Sequence, residues 1–377
     1  MISQVHSQDY DGLYQKSPLD VKRKLRELND KWKKYFEPTF RGRVIEEINR
    51  DREHHNLVKL CAKSFAETDL SVQSGYVFYF AEPLVELGHL EEGNKSFDLF
   101  LFNENNQSAI FVECKTSIPA KARKILKEVE DAIDLVEKSI DYLSTVINVG
   151  MESDRIEYVL CVYDKDSNKI IDFLEGQAKK EEERRKTDPK IKLWIYRPHS
   201  QLVQLHQNHT HSNSILTKML LEGFGEESLK SQFELPYCIT THPYRIINLA
   251  IIGDCYAKNL LDESLSDPKV IKINTILETL ERNISLGILP EQKRELIAYK
   301  MDNMIKYGEK YQLLERHSKE EIRLSCMGKG IQVVKNNIYD KFLKNWVEEK
   351  SEKEAKRQSI KEYKKKTGMK QLSDFYR

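Results

Sequence analysis

The residues best suited to chemistry are Asp98, Glu113 and Lys115, carried by two β-prone runs, SFDLFLFN and SAIFVECKTSI, that the polar ENNQ joins. With ENNQ as a four-residue loop, Asn103 faces Ser108 and Asp98 falls opposite Glu113. Period-two alternation then puts Asp98, Phe100, Phe111, Glu113 and Lys115 on one face. Phe97, Leu99, Leu101, Ile110, Val112 and Cys114 line the other, which is uniformly apolar or thiol and so predicts a core face. Like charges placed directly opposite one another repel, and a divalent cation relieves the repulsion. Two carboxylates, with the backbone carbonyl of Cys114, make a hard oxygen site suited to Mg²⁺, with Mn²⁺ as the alternative. The chemistry that uses such a set is phosphodiester hydrolysis. The metal orients and acidifies a water, while a cation such as Lys115 positions that water or stabilises charge building on the phosphate.

The elements that must hold these residues follow from hydropathy. Apolar spacing through Ile48, Leu57, Leu60, Cys61 and Phe65 predicts helix, and GYVFYFAEPLVEL reads as extended chain in which Pro83 marks an edge or a bend. After the hairpin, Ile125, Val129, Ile133, Val136, Ile140 and Leu143 recur at helical spacing. IEYVLCVYD and IKLWIYRP read as buried strands separated by a helix, IIDFLEGQAKKEEERRK. The predicted order over residues 44 to 200 is therefore α, β, β, β, α, β, α, β.

In this setting Ser96-Phe97-Asp98 and Glu113-Cys114-Lys115 resemble the motif of the PD-(D/E)xK superfamily of restriction-endonuclease-like nucleases, although the usual proline before the aspartate is absent. The resemblance covers residues 44 to about 200 and implies an α/β fold with a mixed central sheet flanked by helices. It also implies Mg²⁺-dependent cleavage of double-stranded DNA to 5′-phosphate and 3′-hydroxyl ends, with Asp98, Glu113 and Lys115 catalytic. Many members add an acidic ligand from the first core helix. Glu47 is the candidate, with Glu46 and Glu53 as rivals that spacing does not separate. A Type II-like restriction enzyme or related defence nuclease is the expectation, usually a homodimer because two strands are cut. Alternatives are a recombination or transposition nuclease, and a non-catalytic DNA-binding regulator with a degenerate core.

Four segments are expected: a basic helical extension (1–43) with Leu25, Leu28 and Trp32 on one side, the nuclease core (44–205), a helical domain (215–340) and a basic helical tail (341–377). The tail carries twelve Lys or Arg against six Asp or Glu, in a chain of 377 residues with formal net charge +1. Within 215–340, helices followed by a hairpin turning near Ser318 suggest a winged helix, whose Lys293, Arg294, Lys300, Lys306 and Lys310 could meet DNA phosphates. The polar strip HQNHTHSNS (206–214), with His199 nearby, could bind zinc but reads better as an interdomain linker. His54 and His55, adjacent on a helix, point apart and read as surface or core residues.

Other function classes lack their residues. There is no GxSxG elbow and no Walker A loop, so no nucleotide cofactor is expected, and the GKG near residue 330 reads as a turn. The N-terminus lacks the blocks of a signal peptide, and no apolar run is long enough for a membrane span. Six scattered cysteines without a CxxC pair point to buried thiols in a reducing, cytoplasmic setting.

Overall fold

A computed structural model of the chain describes residues 10–66, 68–82, 97–118, 122–172, 190–225, 241–283, 290–326 and 328–367. Pro83 and residues 173–186 of the helix expected from Ile170 lie outside the described residues. The fold is mixed α/β, built on a seven-stranded mixed sheet.

The sheet runs in chain order: β1 (Val77–Ala81), β2 (Leu99–Asn103), β3 (Ser108–Lys115), β4 (Ile156–Tyr163), β5 (Ile191–Arg197), β6 (Leu202–Leu205) and β7 (Phe224–Gly225). β3, β4 and β5 are parallel, and the flanking pairs are antiparallel. A parallel pair needs a crossover, which α3 (Ala122–Lys138) and α4 (Ile140–Ile147) supply between β3 and β4. They bury Ile125, Val129, Ile133, Val136 and Leu143 on the sheet face that carries Phe100, Phe102 and Phe111. The opposite face, with Leu99, Leu101, Ile110, Val112, Cys114 and Trp194, is covered by Leu57, Val58, Cys61 and Phe65 of α1 (Leu19–Ser64). Leu216 and Leu220 of α5 (Ser214–Glu222) pack on the same face. The short α2 (Asp69–Ser74) is capped by Thr68 and ends at Gly75, whose positive φ of 77° and close approach to Asn103 leave no room for a side chain. The central strands are thus buried on both sides, which explains their near-continuous apolar sequence.

The chain forms two compact units that cut across a serial division into four segments. One comprises Met1–Asn49, Pro243–Ile273 and Met304–Arg377; the other comprises Arg50–His242 and Asn274–Asn303. The N-terminal extension and the basic tail are therefore parts of one unit. There acids of α8 (Ile331–Thr367) meet donors of α1: Glu348 pairs with Lys33 and Glu362 with Lys31, while Glu352 accepts from Asn29 and Glu362 from the Trp32 indole. The tail's excess charge sits on a helix that packs through Val334, Ile338, Phe342, Leu343 and Val347. In the same unit β8 (Val270–Lys272), β9 (Leu314–Arg316) and β10 (Glu321–Leu324) form an antiparallel sheet in the order β8-β10-β9. The hairpin turns through His317–Glu320. α6 (Ile273–Asn283) and α7 (Pro290–Lys310) lie between β8 and β9 in the chain.

The strip at 206–214 is no linker, and the sheet continues beyond residue 205 into β7. The imidazoles do structural work instead. His209 Nδ1 accepts from the Leu193 N–H at 2.8 Å, and His211 Nε2 accepts from the Trp194 indole at 3.1 Å while Nδ1 meets Glu157. These bonds satisfy polar groups that burial of β5 would otherwise strand.

Phe111, fully buried at the centre of β3 against Phe97, Phe100 and Tyr158, holds the sheet in the register the site needs. Phe111→Ala is expected to cost about 3–5 kcal/mol. A urea midpoint unchanged from the native chain would contradict this packing.

Candidate active site

β2 and β3 pair in the register read from the loop, Asn103 with Ser108 through Leu99 with Val112. Alternation breaks just before that ladder. The Asp98 N–H donates to the Val112 carbonyl at 2.9 Å although Leu99 is the ladder partner of Val112, the pattern of a β-bulge. Phe97 consequently packs with Phe100 and Phe111 and not with Leu99 and Leu101 as strict alternation predicts. The bulge also turns the Asp98 carboxylate toward α1, where His54 Nε2 lies 3.2 Å from Oδ1 and 3.3 Å from Oδ2.

Glu113 and Lys115 alternate with Val112 and Cys114 and so follow the Phe111 face, on which the charge of Glu128 from α3 reaches Lys115. The expectation that Asp98 and Glu113 share one face is therefore corrected: an extra residue at Asp98 brings the two carboxyl groups to the strand end from different sides. They still feel each other. Burial first, and then the charge of Asp98, push the Glu113 carboxyl up to about 7.

Asp98 itself goes the other way. Burial favours its neutral form, but His54, Lys115 and a 2.6 Å hydrogen bond from the Cys114 N–H outweigh it, so its carboxyl is held below the usual range. Cys114, anticipated to offer its carbonyl to a metal, thus also fixes Asp98 through its N–H. Lys115 Nζ pairs with Glu113 Oε1. Glu113 Oε2 is buried and has no hydrogen-bond partner among the described residues. A buried carboxylate oxygen left in this way is costly unless something supplies positive charge.

His54 is the residue that sequence reasoning missed. Its signal was its place on a helix otherwise apolar toward the sheet, one turn before Leu57 and Val58, but nothing in the sequence fixed which turn of α1 meets Asp98. Burial alone would lower its pKa; the carboxylates of Asp98 and Glu113 reverse that and raise it to about 9. The mutual repulsion of Asp98 and Glu113 is accordingly offset in part by His54 and Lys115, so repulsion by itself does not demand a metal.

Glu47 is exposed on α1, where its charge reaches Tyr307 and Tyr311. Glu46 and Glu53 are likewise exposed, and the charge of Glu53 reaches Tyr163. The proposed phosphate-contacting cations of α7 do not make one stripe. At 100° per residue Lys293 and Lys300 share a side, with Lys306 and Lys310 well round the helix from them. Arg294 pairs with Glu281 at 3.2 Å and Lys310 with Glu349 at 2.8 Å, and burial lowers the pKa of Lys300 against the pull of Glu82 and Asp51.

The charged form of His54 is favoured in the folded chain, so it contributes stability that is full below its ordinary pKa of about 6.5 and is lost as pH rises through about 9. Thermal melts of the native chain and His54→Gln in EDTA are expected to differ most near pH 6 and to converge above pH 9. A gap that is constant or widens with pH would contradict the pairing with Asp98.

The chain is similar to an uncharacterized protein of Archaeoglobus fulgidus, with 23% identity over 333 residues that span 85% of this chain and 88% of the relative. No family model matches the sequence, and no solved structure matches the fold. Among the described residues no helix is long and apolar enough to cross a membrane.

Proposed function

We propose that the chain is a metal-dependent endodeoxyribonuclease of restriction-endonuclease-like type, with Asp98, Glu113 and Lys115 as its centre. The observation that carries this reading is Glu113 Oε2, a buried carboxylate oxygen without a partner, at the end of β3 beside Asp98 and Lys115. Carboxylate oxygens are the donors a hard divalent cation takes, and although Asp98 and Glu113 reach the strand end from different sides, each feels the other's charge; Glu113 Oε2 and an Asp98 oxygen would hold Mg²⁺ or Mn²⁺. When bound, the ion supplies Lewis acidity at the scissile phosphate and lowers the pKa of water.

The chain's own groups do the rest. His54 and the Cys114 N–H keep Asp98 ionised and oriented, so that its charge is available at neutral pH. Glu113 gives up its proton near pH 7, which makes it a ligand whose charge appears as the cation arrives. Lys115 carries its positive charge to the strand end, where it stabilises charge growing on phosphate. The position, at the carboxyl end of the parallel strands β3 to β5, is where open α/β sheets commonly bind ligands.

A DNA-contacting role for the other unit rests on its three-stranded sheet β8-β10-β9 and on a cleft of about 530 Å³ lined by Lys269, Arg323 and Lys341. Within the nuclease class, a Type II-like restriction or defence enzyme acting as a homodimer is the proposal. One observation favours a non-catalytic DNA-binding regulator instead: Asp98 and Glu113 each already meet a cation.

Nicking of supercoiled plasmid separates the two. The native chain is expected to nick with Mg²⁺ and not in EDTA, and Glu113→Gln and Lys115→Ala are each expected to lower the rate about 10²–10³-fold. The Mg²⁺ concentration needed for half-maximal rate should fall as pH rises through 7, because Glu113 must lose its proton to bind. Equal nicking by Glu113→Gln, or nicking that EDTA does not stop, would overturn the proposal.

A further inference from the structure

Behind the carboxylates lies a cluster that nuclease chemistry does not use. Cys61 of α1, Cys114 of β3 and Cys161 of β4 converge in the core, all with no solvent exposure, and their sulfur atoms lie within 4.8 Å of one another. Cys114 and Cys161 are register partners in the parallel pair, and Cys61 comes down from the covering helix to within 4.0 Å of Cys161. Three of the six cysteines in the chain thus meet at one point, from three separate elements.

The spacing suits a metal. A thiolate–zinc bond is about 2.3 Å long, so three sulfurs around one ion in a plane stand about 4.0 Å apart. The cluster needs shifts of under about 1 Å to reach that arrangement, less than a side-chain rotamer change provides. Sulfur ligands select soft cations over the hard Mg²⁺ proposed for the carboxylates. The two sites therefore need not compete for one ion.

We propose that Cys61, Cys114 and Cys161 form a closed three-thiolate site for a soft divalent cation such as Zn²⁺. On binding, three S–H bonds break, three protons leave to solvent and three metal–sulfur bonds form; no oxidant or reductant takes part. The site is sealed from water and so is structural. It ties α1 to β3 and β4 two helical turns beyond His54, and Cys114 is the residue whose N–H holds Asp98. An ion there would clamp together the helix and the strand that position the carboxylate. The inference stands apart from the nuclease reading, since a chain without nuclease activity could hold the same ion.

The test uses the full chain, reduced and kept anaerobic, titrated with Cd²⁺ as the probe. A sulfur-to-cadmium charge-transfer band is expected to saturate at one ion per chain, with proton release and a rise in Tm. Cys61→Ser and Cys161→Ser are each expected to weaken binding by about 100-fold or more, beyond the usual loss from an outer-shell partner. Cys255→Ser, altering a buried cysteine of the other unit, should change nothing. X-ray absorption at the zinc edge of the native chain provides a readout independent of variant folding, and a shell of three sulfurs is expected. Absence of a saturable band, undiminished binding by Cys161→Ser, an oxygen- or nitrogen-dominated shell, or a Cys61–Cys161 disulfide in the chain as isolated would overturn the proposal.

Discussion

Two carboxyl groups are buried at the end of a strand pair, near enough to feel each other's charge, and taking such groups out of water costs several kcal/mol for each that stays charged. The surroundings of β2 and β3 answer that cost unequally. Asp98 receives a histidine, a backbone N–H and the field of a lysine, and it stays ionised. Glu113 receives one lysine at one oxygen and keeps its proton up to about pH 7. In the proposed function this asymmetry would divide the labour: one group is a standing negative charge, and the other would acquire its charge as a cation comes.

The same requirement accounts for the placing of the larger elements. α1 must pass over β2 and β3 close enough for His54 to reach Asp98, and it is held there by Leu57, Val58, Cys61 and Phe65 against one sheet face. The bulge at Asp98 turns the carboxylate toward that helix. β3 is an inner strand of the seven, paired on both edges and covered on both faces, so Glu113 and Lys115 stand on a part of the chain that has little freedom to shift. Groups meant to hold charge in fixed geometry are best carried by such an element.

Much of this was legible in the residues. Apolar alternation and the ENNQ loop gave the hairpin and its register from Leu99 to Ser108, and the helical spacing from Ile125 to Leu143 gave the crossover, seen as two helices. Three things were not legible. The bulge was hidden because Phe97 is as apolar as Leu99 and satisfies either face. His54 needed the contact of a helix and a strand 44 residues away, which no local pattern encodes. The histidines at 206–214 looked like loop polarity because their partners, the Leu193 N–H and the Trp194 indole, become polar groups in need only once β5 is buried. In the basic tail, which is helical as read, composition did not say that Glu348 and Glu362 of α8 meet Lys33 and Lys31 of α1.

The central claim is that Glu113 Oε2 is an open ligand position for a hard divalent cation. Mn²⁺ binding followed by electron paramagnetic resonance tests it without reference to any substrate. The account predicts saturable binding of one Mn²⁺ per chain, displaced by Mg²⁺, strengthened as pH rises through 7 and abolished in Glu113→Gln. Binding that survives Glu113→Gln unchanged, or no saturable binding at neutral pH, would contradict it.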